Sequence, residues 1–244
     1  MNGMVASLYT FFVETLPYIT IAVFTIGMAM RIQRWMNAPK DHYKPEMDLV
    51  ESIKFIILDV ILFRKTFKRD KATWLLVFSF HGSIGGILFG HMRGFHLWSA
   101  SIFDPLGHWM ADFMIHTLPV YMGWLLIVTT FLLLVRRFRL EEKQLSSLTN
   151  DYVALVLLLI AAIVGQGMRL FPPEAIPTEL YSIVFIPRFI VLHLEVVPSY
   201  HWFHWHVLFT QLFVMYTPFS KFIHILTGLI SPAIYGIRRK EIGI

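Results

Sequence analysis

Four histidines are the residues of this sequence whose spacing best suits metal chemistry. His81 and His91 lie ten residues apart in the run HGSIGGILFGH, which separates them by about 15 Å along a helix axis. His206 and His224 lie eighteen residues apart, which is about five whole turns, so they share one face if the helix is straight; Pro218 between them is a residue that can kink it. All four fall in apolar stretches, where an ionisable side chain is costly without a partner. We therefore treat them as candidate ligands.

The stretches that carry these histidines are long enough to cross a membrane. Hydrophobic residues make up 56% of the 244 residues and charged residues 15%. A bilayer core needs roughly 20 apolar helical residues, and no stretch shows the alternation of a transmembrane β-strand. We predict an all-α integral membrane bundle of five helices that forms a single domain over residues 1–244, with helices at about 7–30, 73–96, 109–135, 151–171 and 202–230.

The basic residues predict the orientation of this bundle. Eighteen of the 21 Lys and Arg residues fall in 31–71, in 136–143 or from Lys221 onward. Loops rich in Lys and Arg stay on the cytoplasmic side of a membrane. The N-terminus is therefore predicted to lie outside and the C-terminus in the cytoplasm. The second and fourth helices then run outward, and the fifth runs inward.

This orientation sorts the four histidines into two pairs. His81 and His224 lie at the inner end, and His91 and His206 lie at the outer end. Imidazole is a common axial ligand of haem iron, whereas two histidines at each depth leave the four-ligand shell of zinc half empty. Four glycines between the histidines of the second helix give room for a flat macrocycle. The sequence has no cysteine, which excludes iron–sulfur clusters and c-type haem. We predict two bis-histidine b haems.

Two further segments and two further histidines lie outside these predicted pairs. Residues 45–71 form a basic amphipathic segment, which suits a helix on the inner leaflet, a docking surface for a soluble partner, or both. Residues 172–200 contain five prolines and are expected to form a short helix or re-entrant piece at the outer end. His201 and His204 are the weaker ligand candidates, and we expect them to lie exposed at the aqueous edge.

With these residues in place, the sequence resembles a known family. The segments FHGSIGGILFGH and PFSKFIHI, with the spacings of ten and eighteen, are similar to the gamma subunit of respiratory nitrate reductase. They are also similar to its relatives in heterodisulfide-reductase-like and sulfite-reduction-associated complexes. The resemblance implies a cytochrome b subunit that oxidises a membrane quinol, such as menaquinol, near the outer haem. Electrons would then reach an iron–sulfur subunit on the cytoplasmic side.

The resemblance also implies a location for the quinol pocket. Gly90 and His91 would border it, but no lysine stands at the start of the third helix, where the family has a basic residue. His108, Asp112 and His116 recur there at four-residue spacing, as an ordinary polar edge or as acceptors of quinol protons.

The overall interpretation is a subunit of a multi-subunit respiratory oxidoreductase in a prokaryotic cell membrane. The resemblance implies no complete reaction by this chain alone. The alternatives are quinone reduction by the same haems in reverse and, in a different class, a transporter or a membrane anchor without a redox role. A transporter would need charged residues lining a path through the membrane, and the helices contain few outside the histidines.

Overall fold

The computed structural model describes residues 3–38, 49–139, 149–172 and 200–224. Every regular element in these ranges is helical, which confirms the all-α prediction for them. Four helices are long and apolar enough to cross a membrane and overlap the first four predicted spans; they are Met4–Met36, Lys71–Phe95, His108–Arg139 and Asp151–Leu170. The count of five spans, the orientation of the termini and the single-domain boundary stay predictions.

The described ranges contain α-helices together with short π-helical and 3₁₀ turns. The α-helices are α1 (Gly3–Thr10), α2 (Leu16–Met36), α3 (Leu49–Phe55), α4 (Arg64–Arg69), α5 (Lys71–Met92), α6 (His108–Asp112), α7 (Leu118–Arg139), α8 (Thr149–Leu170) and α9 (His201–Tyr216). π-helical turns at Phe11–Thr15, Ile56–Ile61 and Phe113–Thr117 lie between α1 and α2, after α3, and between α6 and α7. The expected outer piece at 172–200 lies outside the described residues, apart from its two end positions.

The amphipathic inner segment is helical over most of Leu49 to Arg69 and is tied to the start of α5. Asp70 caps α5, because its carboxylate accepts hydrogen bonds from the backbone N–H groups of Ala72 at 3.0 Å and Thr73 at 3.2 Å. The indole N–H of Trp74 donates to the Leu62 carbonyl at 2.8 Å, which fixes the turn before α4. Residues 45–48 of the predicted segment lie outside the described residues.

The predicted helix at 202–230 is wrong in its described inner half. Regular α-helix ends at Tyr216, and two short 3₁₀ turns follow at Thr217–Phe219 and Lys221–Ile223. Pro218 cannot donate a backbone hydrogen bond and its ring disfavours a continuing helix, so the chain changes geometry there. His206 and His224 are therefore not on one straight helix, although both still face the second span.

The long helices pack in a row in the order α5, α7, α8, α9 and α2. α9 packs most closely on α8, and α5 packs most closely on α7. The core between them contains Phe80, Leu126, Ala154, Leu155, Leu158 and Phe222. Within the described ranges α5 and α9 are not closely packed on each other. Outward side chains remain apolar and exposed, such as Phe131 at 53%, as expected for a surface that faces lipid.

A buried amide fixes α9 against the first span. Gln211 is buried, and its Nε2 donates to the Phe12 carbonyl at 2.8 Å within the π-helical turn. Its Oε1 accepts a hydrogen bond from the Thr20 hydroxyl at 3.1 Å. A buried amide with partners on both of its ends is satisfied rather than costly. This contact sets the position of the helix that carries His206.

Candidate functional site

The four candidate histidines form two ring pairs across the space between α5 and the last described elements. The rings of His81 and His224 have centroids 6.0 Å apart, with their planes inclined at 70°. The rings of His91 and His206 also have centroids 6.0 Å apart, inclined at 32°. These are the pairs that the charge asymmetry predicted. The assignment of the four histidines as iron ligands stays a prediction.

The separation of the rings suits one metal ion held between each pair. Metal–nitrogen bonds of about 2.0 Å on both sides would place two imidazole centroids roughly 6 Å apart. The described residues contain no cluster of three or more His, Cys, Asp or Glu side chains able to hold a metal ion. Zinc prefers four ligands, whereas a haem takes only one or two axial ligands from the protein, so a pair of imidazoles suits haem better. The residues fit b haem.

Backbone carbonyls give all four imidazoles the same tautomer. The Nδ1 of His81 lies 2.8 Å from the Val77 carbonyl, and that of His91 lies 2.8 Å from the Ile87 carbonyl. A carbonyl oxygen only accepts, so each Nδ1 must carry the proton and donate. The free lone pair of each neutral ring is then on Nε2, which is the atom left to bind a metal.

His206 and His224 also donate their Nδ1–H groups to backbone carbonyls, but on two different elements. His206 Nδ1 donates across the helix interface to the Ala161 carbonyl of α8 at 3.0 Å. His224 Nδ1 donates to the carbonyl of Lys221 at 2.7 Å, within its own turn. Such outer partners orient metal-binding imidazoles and raise their basicity. The spacing of the histidines alone did not reveal these partners.

Glycines of α5 and α8 shape the space around the histidine pairs. In the described part of the chain no atom lies within 4 Å of the position of an added Cβ at Gly82, Gly85 or Gly90. That open space on α5 is available to a flat macrocycle. Gly165 on α8 does the opposite, since an added Cβ would lie 2.8 Å from Cε1 of His206. A side chain at position 165 would therefore displace that imidazole.

An aromatic ring covers the His81–His224 pair from the side of the amphipathic segment. The Phe63 ring lies 4.7 Å from the His81 ring, centroid to centroid. Phe63 has φ of +51° and ψ of +41°, the left-handed conformation that residues with a side chain rarely adopt. Next to this strained residue, Arg64 forms a bidentate ion pair with Asp59. The shorter of its two N–O distances, from Nη2 to Oδ2, is 2.8 Å. No local sequence pattern indicated this contact.

The expectation of exposed histidines at the start of α9 is wrong for one of the two. His204 is only 1% exposed, and its ring stacks on Tyr9 of α1 with centroids 4.1 Å apart. His201 is exposed, and its Nδ1 forms a 2.6 Å hydrogen bond with the Tyr9 hydroxyl. His204 faces α1, while His206 faces α8, as their two-residue separation along a helix requires.

The polar residues considered for the quinol site lie at the start of the third span. Asp112 Oδ1 and His116 Nε2 are 3.9 Å apart, and their side chains are 59% and 58% exposed. His108 is exposed at the first position of α6. The structure thus brings Asp112 and His116 together and leaves both accessible. It does not assign a role to either, or to Gly90.

Comparison with known proteins identifies the family of this chain. A model of the nitrate reductase gamma subunit matches residues 67–241, which is more than half of the chain and includes all four histidines. The chain belongs to the nitrate reductase gamma subunit family. The resemblance seen in the sequence is therefore confirmed. Together with the four long apolar helices, the family makes the chain a multi-pass membrane protein.

Relatives of this gamma-subunit family member carry names from oxidoreductase complexes. The chain is 28% identical over 245 residues to the Hdr-like menaquinol oxidoreductase cytochrome b-like subunit of Archaeoglobus fulgidus, covering 85% of this chain and 74% of the relative. It is 23% identical to a subunit of the dihydromethanophenazine:CoB–CoM heterodisulfide reductase of Methanosarcina thermophila, covering 81% and 93%. The corresponding Archaeoglobus profundus protein, with the same name as the first, is 24% identical and covers 94% and 79%.

Proposed function

We propose that the chain is the membrane cytochrome b subunit of a respiratory oxidoreductase and binds two b haems. His81 and His224 would hold the inner haem, and His91 and His206 would hold the outer haem. The observation that carries the proposal is the presence of two imidazole pairs with the same 6.0 Å centroid separation. The names of the relatives support the class of complex.

Haem iron with two imidazole ligands supplies reversible one-electron transfer. The chain itself would hold the two ring pairs at fixed depths in the bilayer. The ten-residue spacing of His81 and His91 sets their offset along the helix at about 15 Å. The apolar side chains of α5, α7 and α8 would exclude water from the space between the pairs.

The substrate we propose is a membrane quinol, oxidised near His91 and His206. Oxidation of a quinol releases two protons for every two electrons, so groups able to accept protons are needed at that end. Gly90, His108, Asp112 and His116 remain our candidates for lining this site. The relatives' names mention menaquinol and dihydromethanophenazine, and either class of lipid-soluble carrier suits an entry from the bilayer.

We place the electron acceptor on the side of the basic loops. It would be an iron–sulfur subunit on the cytoplasmic side, as the resemblance in the sequence implies, and the relatives' names suggest a heterodisulfide-reductase-like complex. The exposed basic residues of α4, such as Lys65 and Lys68, suit this side under the positive-inside rule. The same arrangement would serve electron flow in the reverse direction, toward quinone.

The first test is a spectrum of the purified chain with quantification of haem. We expect the absorption bands of low-spin b haem in the parent protein. His206→Ala should remove the outer haem and keep the inner one, and His224→Ala should do the reverse. A protein without haem, or a His206→Ala variant that loses neither haem, would sink the proposal. Reduction of the haems by added menaquinol, compared with reduction from the cytoplasmic partner, would give the direction of flow.

A further inference from the structure

The buried carboxylate of Asp151 is linked through Lys221 to His224, a proposed haem ligand. The side chain of Asp151, in the first turn of α8, is 2% exposed. Its Oδ2 lies 2.6 Å from Nζ of Lys221 and 3.1 Å from Nη1 of Arg137. The Lys221 side chain is 58% exposed, so its attraction to the buried carboxylate is weakened by screening and stabilises the fold little. The place of this carboxylate in the structure therefore needs another reason.

Lys221 connects that carboxylate to the imidazole of His224. The side chain of Lys221 binds Asp151 at 2.6 Å, while its backbone carbonyl accepts the Nδ1–H of His224 at 2.7 Å. The turn between them is short and well held, because the Ser220 hydroxyl caps the Phe222 N–H at 3.1 Å and Phe222 is buried. A shift of Lys221 would therefore move the hydrogen-bond acceptor that orients His224.

The outer pair is anchored by the same helix. The carbonyl of Ala161 on α8 accepts the Nδ1–H of His206. Asp151 and Ala161 are ten residues apart, as are His81 and His91, and ten residues of helix span about 15 Å. Thus α8 itself carries no histidine, but it contacts the hydrogen-bonding groups that hold His206 and His224. Its two contact points, Ala161 and Asp151, have the same axial spacing as His91 and His81 on α5.

We infer that Asp151 is a positioning residue for the inner haem ligand, acting on His224 through Lys221. This inference rests on the proposed function, in which His224 binds the inner haem. In this arrangement α8 acts as a spacer along the bundle axis. Its Ala161 carbonyl sets the position of His206, and its Asp151 carboxylate sets the position of His224 through Lys221. Arg137 binds the same carboxylate from α7, and its side chain serves as the comparison.

The test compares Asp151→Asn with Arg137→Gln in the full chain, purified with whatever subunits accompany it. Asp151→Asn removes the charge that binds both Lys221 and Arg137, whereas Arg137→Gln removes only the second ion pair and leaves Lys221 bound to the carboxylate. In Asp151→Asn we expect loss of the low-spin electron paramagnetic resonance signal of one haem, a shifted midpoint potential for that haem, and an unchanged outer signal. Asp151→Glu should restore at least part of the signal, because it keeps a carboxylate. Arg137→Gln should keep both signals.

Several results would overturn the inference. One is an Asp151→Asn protein with both low-spin signals and both potentials of the parent; another is an Arg137→Gln protein that loses the inner signal to the same extent. If Asp151→Asn does not accumulate, Lys221→Met tests the same link, and two unchanged haems in that variant would also overturn it. His224→Ala distinguishes a failure of the proposed haem binding from a failure of the proposed role of Asp151. Loss of no haem in His224→Ala contradicts the proposed function, whereas loss there with no effect of Asp151→Asn contradicts only the role of Asp151.

Discussion

The close approach of His206 to α8 makes Gly165→Ala a sharp test of the outer ligand pair. The added methyl would lie 2.8 Å from Cε1 and 3.0 Å from Nδ1 of the His206 ring. Carbon atoms in contact prefer about 3.5–4.0 Å, so the ring must retreat by about 0.7 Å or more. A metal–ligand bond tolerates only about 0.2 Å of such displacement. Nδ1 is also the donor to the Ala161 carbonyl, so the orienting hydrogen bond is disturbed as well.

The fold should survive this change while the outer haem is lost. Overpacking costs about 1–3 kcal/mol, and replacing glycine by alanine in a helix returns up to about 1 kcal/mol. We expect Gly165→Ala to accumulate in the membrane and to lose one of the two proposed low-spin haems. The measurement is the haem content per polypeptide, together with the low-spin signals in electron paramagnetic resonance.

A second glycine on the neighbouring helix provides the matched control. In Gly123→Ala the added methyl would meet Oε1 of Gln166 at 2.0 Å, which is the flexible end of a side chain. The expected cost is the hydrogen bond from Gln166 to the Val120 carbonyl, on the order of 1 kcal/mol of stability, with both haems retained. Two unchanged low-spin haems in Gly165→Ala would refute the reasoning, as would an equal loss of haem in the control.

Three further changes test other parts of the structure. Gln211→Leu leaves the Thr20 hydroxyl without its acceptor on α9 and should lower the free energy of unfolding by about 1–3 kcal/mol, measured as a lower thermal midpoint in detergent. Phe63→Gly relieves the left-handed backbone that Phe63→Ala retains, so it should unfold at a higher temperature than Phe63→Ala, while both expose His81. Hydrogen bonds from the Thr73 hydroxyl and backbone hold the pKa of Asp70 below its usual value. The ionised Asp70 cap therefore stabilises α5 at pH values above the usual carboxyl pKa, and this stabilisation is lost as the pH falls through the lowered pKa. The stability difference between the parent and Asp70→Ala should therefore shrink on acidification, and a difference that grows would contradict this sign.

The pairing of the histidines could be predicted because it follows from two independent features of the sequence. The ten-residue spacing set an offset along one helix, and the distribution of Lys and Arg set the direction of each span. Neither depends on details of packing, so the pairs of rings follow even though the helix after His206 is not straight. Pro218 indicated a possible kink in 202–230, but the sequence did not show that the α-helix ends at Tyr216 and that 3₁₀ turns carry the chain to His224.

Other parts of the site depend on contacts that no local pattern records. His204 is buried because α1 places Tyr9 over it, and Tyr9 is almost two hundred residues away in the chain. The left-handed Phe63 is held by its neighbours, since its own side chain disfavours that backbone. Asp151 looks like an ordinary acidic residue in the first turn of a helix. Only the folded chain shows that Lys221 and Arg137 converge on it.

The row of helices explains why the ligand pairs are open to a large planar group. If α5 and α9 packed directly on each other, their histidines would lie at a closed interface with no room for a macrocycle. Instead α7 and α8 hold the two histidine-bearing elements on either side of a gap, and the glycines of α5 keep its wall free of side chains. The width of that gap is then set by the packing of α8 on α7 and on α9. This is why we expect substitutions on α8, which itself contributes no iron ligand, to affect the haems more than substitutions on the lipid-facing side of α7.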